Sequence, residues 1–354
     1  MSGEFSIETF RGDYEALERM AHASWRDEYG GASFPNFYRP AFLRFLFERI
    51  PAGKKEHLIA AYRGGEIAAF LANLPRRYYF DGRLVQGVYS CLLVTRREHL
   101  RRGLALAVIR AAIEQNRRHG YDFALLTLET GHRSSKMMAK IREEGNRIER
   151  IRKAHVIARI LDLKRVSFSE GLKPYERAAI VLLGSHRPPR PDGRIELRPY
   201  RPADLEACHG LLDRYRESVR LALAWDKADL AVELDCPDVS RTLIYERDGR
   251  AAGMINFLLH DHIGRTTERW AWINHVAFPD LTPSEQYDFI QAYMRHIRDM
   301  GCAGTIEWTK NYYPLRAFRK SRFFPYPRGV NWVSWTFNPE LSLAGLPGLY
   351  EVQI

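Results

Sequence analysis

The sequence predicts an α/β protein with a mixed sheet, built from two similar units in tandem. The clearest signal is the order strand, basic loop, helix, strand between Gly87 and Leu128. A similar order without the basic loop returns between Trp270 and Thr309. The sequence after Gly193 also restarts a pattern seen near the N-terminus. A repeated order of elements on this scale indicates a duplicated fold.

Composition sets outer limits on this interpretation. The chain has 354 residues, which exceeds the usual length of one domain, and 45% of them are hydrophobic, enough for two cores. The formal net charge of +11 favours anionic partners, such as a nucleotide cofactor, a nucleic acid or an acidic substrate. The four cysteines lie far apart and form neither a disulfide framework nor a metal-binding spacing.

The ends and the apolar runs of the sequence predict where the protein works. The N-terminal residues lack the basic-then-apolar pattern of a secretory signal, and no apolar run is long enough to span a bilayer. We therefore expect a cytoplasmic protein without a membrane partner.

The elements of the first unit follow in order. Ser6–Phe10 alternates like a strand, and Asp13 can cap a helix that carries Leu17 on its apolar side. The aromatic segment from 34 to 50 has two interpretations, a packed core or one wall of an acceptor pocket. Turns at 64–65 and 81–82 indicate two hairpins.

The central strand of this unit leads into the basic loop and the helix. Gly87–Val94 is apolar and prone to β structure, and Gly103 opens a helix in which Leu106, Ile109 and Ile113 recur at helical spacing. The first turn of a helix has unpaired N–H groups and a dipole that attracts anions. Arg101 and Arg102 add positive charge at this point. From physics alone, a phosphate site and an ordinary strand–helix connection with a basic loop are about equally supported.

The loop resembles the acetyl-CoA loop of the GNAT N-acetyltransferase superfamily, whose usual form is Arg/Gln-x-x-Gly-x-Gly/Ala. Gly103 and Ala105 match its last two fixed positions, whereas Leu100 stands where the family has Arg or Gln. The resemblance implies two GNAT folds and acetyl-CoA as cosubstrate. It implies a cofactor site formed by Leu93, Val94, Thr95, Leu100, Arg101, Arg102, Gly103, Leu104, Ala105 and Ser134.

The resemblance also predicts the catalytic groups. In the family the amine attacks the thioester directly, and a backbone N–H of the fourth strand, here near Leu93–Thr95, stabilises the oxyanion. A tyrosine on the helix after the fifth strand commonly protonates the thiolate, but Met138 or Ala139 falls near that position here. The catalytic candidates in this sequence are Glu129, His132 and Tyr89. A helix cap for Glu129 and a merely exposed side chain for His132 are the alternatives.

The remaining sequence predicts a linker and a second unit. An extra helix at 171–184 precedes a stretch at 184–193 that is rich in proline and glycine. We therefore expect a GNAT domain at 1–165, an extra helix and linker at 166–193 and a GNAT-like domain at 194–354. The loop at 279–285 has no glycine and carries Asp280 and Glu285, which would repel a pyrophosphate.

These observations lead to one function and two alternatives. We expect an N-acyltransferase that moves an acetyl group from acetyl-CoA to a primary amine on a small molecule or peptide. An aminoacyl-tRNA-dependent transferase also pairs two GNAT-like halves, but the CoA loop argues against a nucleic acid partner. A CoA-binding protein without activity is the other alternative, and a homodimer stays open. No metal is expected, because His260, His262 and His275 lack a ligand spacing.

Overall fold

Two halves of the chain contribute strands to a single sheet. The structure is a computed structural model that describes residues 5–30, 32–129, 134–190 and 194–351. In these residues the strands form one 15-stranded sheet. In the first half its strands are β1 (Ser6–Thr9), β2 (Phe34–Pro35), β3 (Leu58–Arg63), β4 (Glu66–Phe80), β5 (Arg83–Thr95), β6 (Phe123–Glu129) and β7 (Ile148–Ile160). The first-half helices are α1 (Tyr14–Tyr29), α2 (Pro40–Phe47), α3 (Leu104–Arg118), α4 (Ser134–Glu143), α5 (Leu163–Ser169) and α6 (Pro174–Leu182).

The second half repeats the same order of elements. Its strands are β8 (Leu197–Pro199), β9 (Leu221–Leu223), β10 (Ser240–Arg247), β11 (Arg250–Ile263), β12 (Thr267–Ala277), β13 (Gly304–Trp308), β14 (Phe324–Thr336) and β15 (Leu349–Tyr350). Its helices are α7 (Leu205–Arg216), α8 (Lys227–Leu234), α9 (Pro283–Asp299) and α10 (Arg316–Lys320).

The last long strand of each half lies inside the sheet of the other half. The strand order is β1-β3-β4-β5-β6-β14-β7-β13-β12-β11-β10-β8. Thus β14 pairs with β6 of the first half, and β7 pairs with β13 of the second. The short strands are exchanged in the same way, because β2 pairs with β11 and β9 pairs with β4. The two halves therefore cannot separate without breaking strand pairs.

Local sequence explains the helices that position the site. The Asp13 side chain accepts a hydrogen bond from the Ala16 N–H at 2.8 Å and caps α1 as predicted. Helix α3 buries Val108, Ile109 and Ile113 against the sheet, and Gly120 follows its end in the left-handed conformation. No helix among the residues described is long and apolar enough to cross a membrane.

Candidate active site

The sheet splits between β5 and β6. These parallel strands pair from Gly87 and Phe123 to Tyr89 and Leu125, and the pairing then ends. Strand β5 continues to Thr95 along β4, while β6 continues along β14. The result is a wedge between the carboxyl ends of two neighbouring strands, which we call the first split.

A bulge in β5 sets which backbone groups face the first split. The register against β4 shifts between Phe70 and Ala72, and Leu92 has a left-handed backbone with φ 56°. Beyond the bulge the Arg96 N–H donates to the Ala68 carbonyl at 2.8 Å. The alternation of an antiparallel ladder therefore turns the N–H of Thr95 away from β4 and towards the split.

The basic loop ends at an open helix start. Gly103 is the N-cap of α3 with φ 81°, no side chain caps the helix, and its first turn contains no acid. Leu100, Arg101 and Arg102 are exposed beside it. Arg97 is held by Asp27 at 2.6 Å, so the loop is tied to α1. This geometry leaves N–H groups and positive charge together at the mouth of the first split.

The other predicted cofactor residues differ in what they expose. The side chains of Val94 and Leu104 are buried in the core, so only their backbone groups can meet a ligand. Leu93, Ala105 and Ser134 are partly buried. Ser134 begins α4, whose helix lies beside β6.

The predicted catalytic residues lie at both ends of the first split. Tyr89 is the last residue of β5 that pairs with β6, and it is completely buried. Burial raises its pKa above the ordinary value, and Thr127 lies near it. Glu129 ends β6, is partly buried, and lies four residues after Leu125, the partner of Tyr89, so its side chain shares the Tyr89 face of the sheet. His132 lies outside the described residues.

Sequence reasoning missed two aromatic residues beside the closed end of the split. Tyr38, between β2 and α2, and Trp332 of β14 are buried, yet the Tyr38 hydroxyl and the Trp332 indole N–H have no hydrogen-bond partner among the described residues. The rings of Trp332 and Tyr89 lie 6.0 Å apart. Cys91 lies near both Tyr38 and Tyr89, and burial raises its pKa to about 12. A buried donor without a partner indicates a place where a polar atom of a ligand can accept its hydrogen bond.

No local signal in the sequence distinguishes Tyr38 and Trp332 from aromatic residues that only pack in the core. Tyr38 falls in the aromatic segment that had two interpretations, and packing is confirmed for Phe42, Phe45 and Phe47. Trp332 reaches the site only because β14 is exchanged into the first half.

The second half has an equivalent split that is closed by side chains. Pairing between β12 and β13 ends at Trp272 and Ile306. Lys310 lies four residues beyond Ile306, and its ammonium donates to the Asn274 carbonyl of β12. In the first half the equivalent residue is Glu129, four residues beyond Leu125. The Tyr312 hydroxyl oxygen accepts the Val276 N–H at 3.0 Å.

The helix that follows this second split also lacks an open anion site. The Thr282 hydroxyl accepts the Glu285 N–H at 3.3 Å, and the Glu285 carboxylate accepts the Thr282 N–H at 2.8 Å. Asp280 binds Arg214 at 2.6 Å on the preceding loop. Thr282 and Glu285 therefore form a capping box, which places negative charge where a diphosphate would have to bind.

A groove lies where α2 and β4 of the first half meet the start of α8. Its cavity volume is about 250 Å³. Charged side chains line it together with an apolar floor that includes Leu46, Ile50, Leu74 and Trp225. We call this cavity the interface groove. The charged residues are Arg49, Lys54, Arg76, Arg77, Asp226, Asp229 and Glu233.

Glu233 is a buried, ionised carboxylate at the inner end of the groove. Arg49 binds it at 2.7 Å, and the Asn274 amide donates to it at 2.5 Å. Burial acts to raise the pKa of Glu233, but Arg49 and His275 outweigh it and hold the pKa at about 2. A group with so low a pKa is a fixed anion at neutral pH and a poor proton acceptor.

His275 connects Glu233 to the opposite side of the groove. The Trp225 indole N–H donates to the Tyr350 oxygen at 2.7 Å, and that hydroxyl lies 3.0 Å from His275 Nδ1. His275 Nε2 lies 3.8 Å from Glu233.

The two other histidines considered as metal ligands, His260 and His262, are packing residues. Trp272 donates to His262 Nε2 at 3.0 Å, and burial lowers the His262 pKa to about 3. His260 packs edge-on against Phe37 and Phe42. Within the described ranges, no group of three or more His, Cys, Asp or Glu side chains could hold a metal ion.

Comparison with solved structures identifies the architecture. No protein-family model matches the sequence, and no curated protein matches it at the level of sequence. Saccharomyces cerevisiae N-myristoyltransferase with bound myristoyl-CoA superposes with a TM-score of 0.77 at 13% identity, over 95% of this chain and 83% of that one. The chain has two GNAT folds in tandem.

Other GNAT proteins are similar over nearly the same length of this chain. A GCN5-related N-acetyltransferase from Kribbella flavida gives a TM-score of 0.53 at 12% identity, covering 95% of this chain and 71% of that one. One from Anabaena variabilis gives 0.55 at 12% identity, covering 93% and 72%. The fold predicted from the Gly103 loop is thus confirmed, including its duplication in one chain.

Proposed function

We propose that the protein is a CoA-dependent N-acyltransferase with one active site, in the first GNAT fold. The observation that carries this proposal is the first split, which opens directly onto the uncapped start of α3. The N–H groups of that helix, with Arg101 and Arg102, would bind the diphosphate of CoA. The pantetheine arm would then lie in the split. The N-myristoyltransferase with the similar fold is a myristoyl-CoA complex, which supports a CoA thioester as the donor.

An acetyl group is the donor group that the closed end of the split favours. Tyr38, Tyr89 and Trp332 are each at most 1% exposed there. A long acyl chain that extended along the split to Tyr89 would have to displace these packed rings, whereas an acetyl group ends before it reaches them. The N–H of Thr95, or that of Leu93 in the bulge, would stabilise the oxyanion.

Glu129 is the proposed base. It lies at the open end of the split on the face that carries Tyr89, and it is partly accessible. The acceptor amine is an ammonium at neutral pH and must lose a proton before it attacks. The amine nitrogen then forms a bond to the thioester carbon, the carbon–sulfur bond breaks, and CoA leaves as the thiol.

The second GNAT fold would shape the acceptor side and bind no CoA. Lys310 closes its split, and Thr282 and Glu285 occupy the start of α9. This assigns different roles to two halves with the same fold.

A melting experiment with CoA thioesters tests the proposal. We expect acetyl-CoA at saturating concentration to raise the melting temperature, since a ligand that binds only the folded state stabilises it. Myristoyl-CoA, added in parallel, should give the smaller rise. Release of CoA thiol with a panel of amines would establish turnover. No rise with any thioester, or salt-sensitive binding of tRNA in its place, would contradict the assignment.

A further inference from the structure

The interface groove carries opposite charges on its two walls. The first half supplies basic residues from β4 and from the chain that follows α2, and the second half supplies acids from α8 and its N-cap. The basic side chains are Arg49, Lys54, Arg76 and Arg77; the acidic ones are Asp226, Asp229 and Glu233. A ligand that matches both walls must itself carry both charges.

Most of these charges already have partners within the protein. Arg49 binds Glu233 at 2.7 Å, Arg76 binds Glu351, and Arg77 lies 3.9 Å from Asp226. Two charges are left over, one on each wall. They are Lys54 and Asp229.

Neither Lys54 nor Asp229 forms an ion pair or a side-chain hydrogen bond with any described residue. The Lys54 ammonium lies 5.6 Å from the centroid of the Tyr121 ring. Asp229 is an exposed residue at the rim of the groove, and partial burial of its carboxylate raises its pKa above the ordinary value. An ammonium group beside Asp229 would offset that rise, and a carboxylate would pair with Lys54 in the same way.

The floor of the groove reaches the first split. Arg76 lines the groove, and its guanidinium carbon lies 4.9 Å from the centroid of the Tyr89 ring. Tyr89 is the residue at which the pairing of β5 and β6 ends. One layer of side chains therefore separates the two cavities.

We propose that the interface groove binds the head group of the acceptor, and that the acceptor is an α-amino acid with a second amine on its side chain. The α-carboxylate binds Lys54 and the α-ammonium binds Asp229. The side chain points towards the first split beside Arg76, and when the Arg76 side chain turns aside it delivers its distal amine to the thioester there. The α-amine cannot react, because Asp229 holds it away from the split. This inference rests on the proposed N-acyltransferase function and specifies its acceptor.

A cavity of about 250 Å³ suits such a ligand. It lies just below the range for small-molecule sites, which starts near ~300 Å³, so it accepts an amino acid more readily than a folded substrate. The product is an amide of the side-chain nitrogen, with the α-amino acid head unchanged. Of the two protons that the side-chain ammonium loses, one leaves with the CoA thiol and the other passes to water.

Matched acceptors test this assignment. With acetyl-CoA, the wild type should release CoA thiol with 2,4-diaminobutyrate, ornithine or lysine, and mass spectrometry should place the new acyl group on the side-chain nitrogen. Cadaverine has the two amines but no carboxylate and should be a poorer acceptor by about tenfold or more in kcat/KM. Nε-acetyl-lysine keeps the head and lacks the reacting amine, so it should inhibit competitively against the acceptor.

Variants on both walls give a second readout. Lys54→Met should raise KM for the diamino acid by about tenfold, with kcat within about twofold and KM for cadaverine unchanged, because cadaverine has no carboxylate. Asp229→Asn should raise KM for the diamino acid and for cadaverine alike, because both carry a second ammonium. Lys227→Met is the matched control, because Lys227 lies on the same helix as Asp229 but pairs with Glu206 outside the groove. It should leave all constants unchanged.

Two results would overturn the inference. One is acylation of the α-nitrogen, or equal use of cadaverine. The other is a rise in melting temperature with acetyl-CoA together with no transfer to any diamino acid. That second result would leave the proposed N-acyltransferase intact and remove only its acceptor, whereas the absence of any CoA effect would remove the function itself.

Discussion

Glu129 and Lys310 occupy the same position in the two halves of the protein. Each lies four residues past the point where the central parallel strands stop pairing. In the second half the Lys310 ammonium crosses the split and donates to the Asn274 carbonyl. In the first half the equivalent side chain is a carboxylate that is partly accessible. This position is therefore one of those that differ between the split that is closed and the one that we propose to be active.

The first prediction concerns the equivalence of these two residues. Glu129→Gln keeps the size of the side chain but removes its basicity, so we expect kcat for acyl transfer to fall by about 100-fold or more. The rise in melting temperature with acetyl-CoA should persist. The control is Glu114→Gln on the exposed side of α3, which should change neither quantity. Full activity in Glu129→Gln would assign the base to another group.

The second prediction concerns the start of α3. Gly103→Glu puts a carboxylate where the CoA diphosphate would bind, so we expect the thermal shift with acetyl-CoA to disappear. Gly120→Glu is a closely matched control. Both glycines have a left-handed backbone at opposite ends of α3, and a Cβ at either meets no atom within 4 Å. The two variants should therefore lose similar stability, and only the first should lose the shift.

A third prediction concerns Tyr38. Its hydroxyl is buried without a partner among the described residues, so Tyr38→Phe removes an unsatisfied polar group. We expect the free energy of unfolding to stay the same or rise by up to about 1 kcal/mol. If the hydroxyl meets the substrate, kcat/KM falls in the same variant. A loss of stability would show instead that the hydroxyl is paired in the free protein.

The fourth prediction concerns the ion pair of Arg76 and Glu351. Both side chains are largely buried, and Tyr78 also donates to Glu351 at 2.5 Å. Arg76→Met leaves a buried carboxylate without its cation and should cost about 3–5 kcal/mol of unfolding free energy. The double variant Arg76→Met/Glu351→Gln should recover part of this loss, as measured by urea denaturation. Equal stability of the single and double variants would contradict a coupled pair.

The fifth prediction is a pH dependence that arises from Glu307. Burial raises its pKa from 4.5 to about 8, so the folded state binds a proton that the unfolded state releases between these values. Its contribution to stability is complete below about pH 4.5 and is lost as the pH rises towards 8. Burial lowers the pKa of Lys310 from 10.5 to about 8. Lys310 therefore makes the unfolding free energy rise with pH, but only above about pH 8.

The variant Glu307→Gln isolates this contribution. Between pH 5.5 and 7.5, the unfolding free energy of the wild type should fall more steeply than that of the variant, by about 1 kcal/mol per pH unit. Denaturant titrations at the two pH values measure the difference. Glu340→Gln, an exposed substitution, should keep the wild-type slope. Parallel slopes for wild type and Glu307→Gln would contradict the raised pKa.

Local chemistry in the sequence determined the elements and the place of the site. The cap at Asp13, the helix start at Gly103 and the capping box at Thr282 act over a few residues, and the structure has all three. The loop motif at Gly103 also indicated the GNAT fold, which the solved structures confirm. These signals survive in one sequence because each depends on neighbouring residues.

Tertiary structure alone decided how the halves are joined and which groups meet between them. The exchange of β7 and β14 brings Trp332 to Tyr89, and Arg76 pairs with Glu351, 275 positions away in the chain. Lys310 closes the second split only because β12 and β13 diverge there. A periodic pattern specifies which face of a strand is apolar, but not which strand becomes its neighbour, because pairing depends on contacts between distant segments.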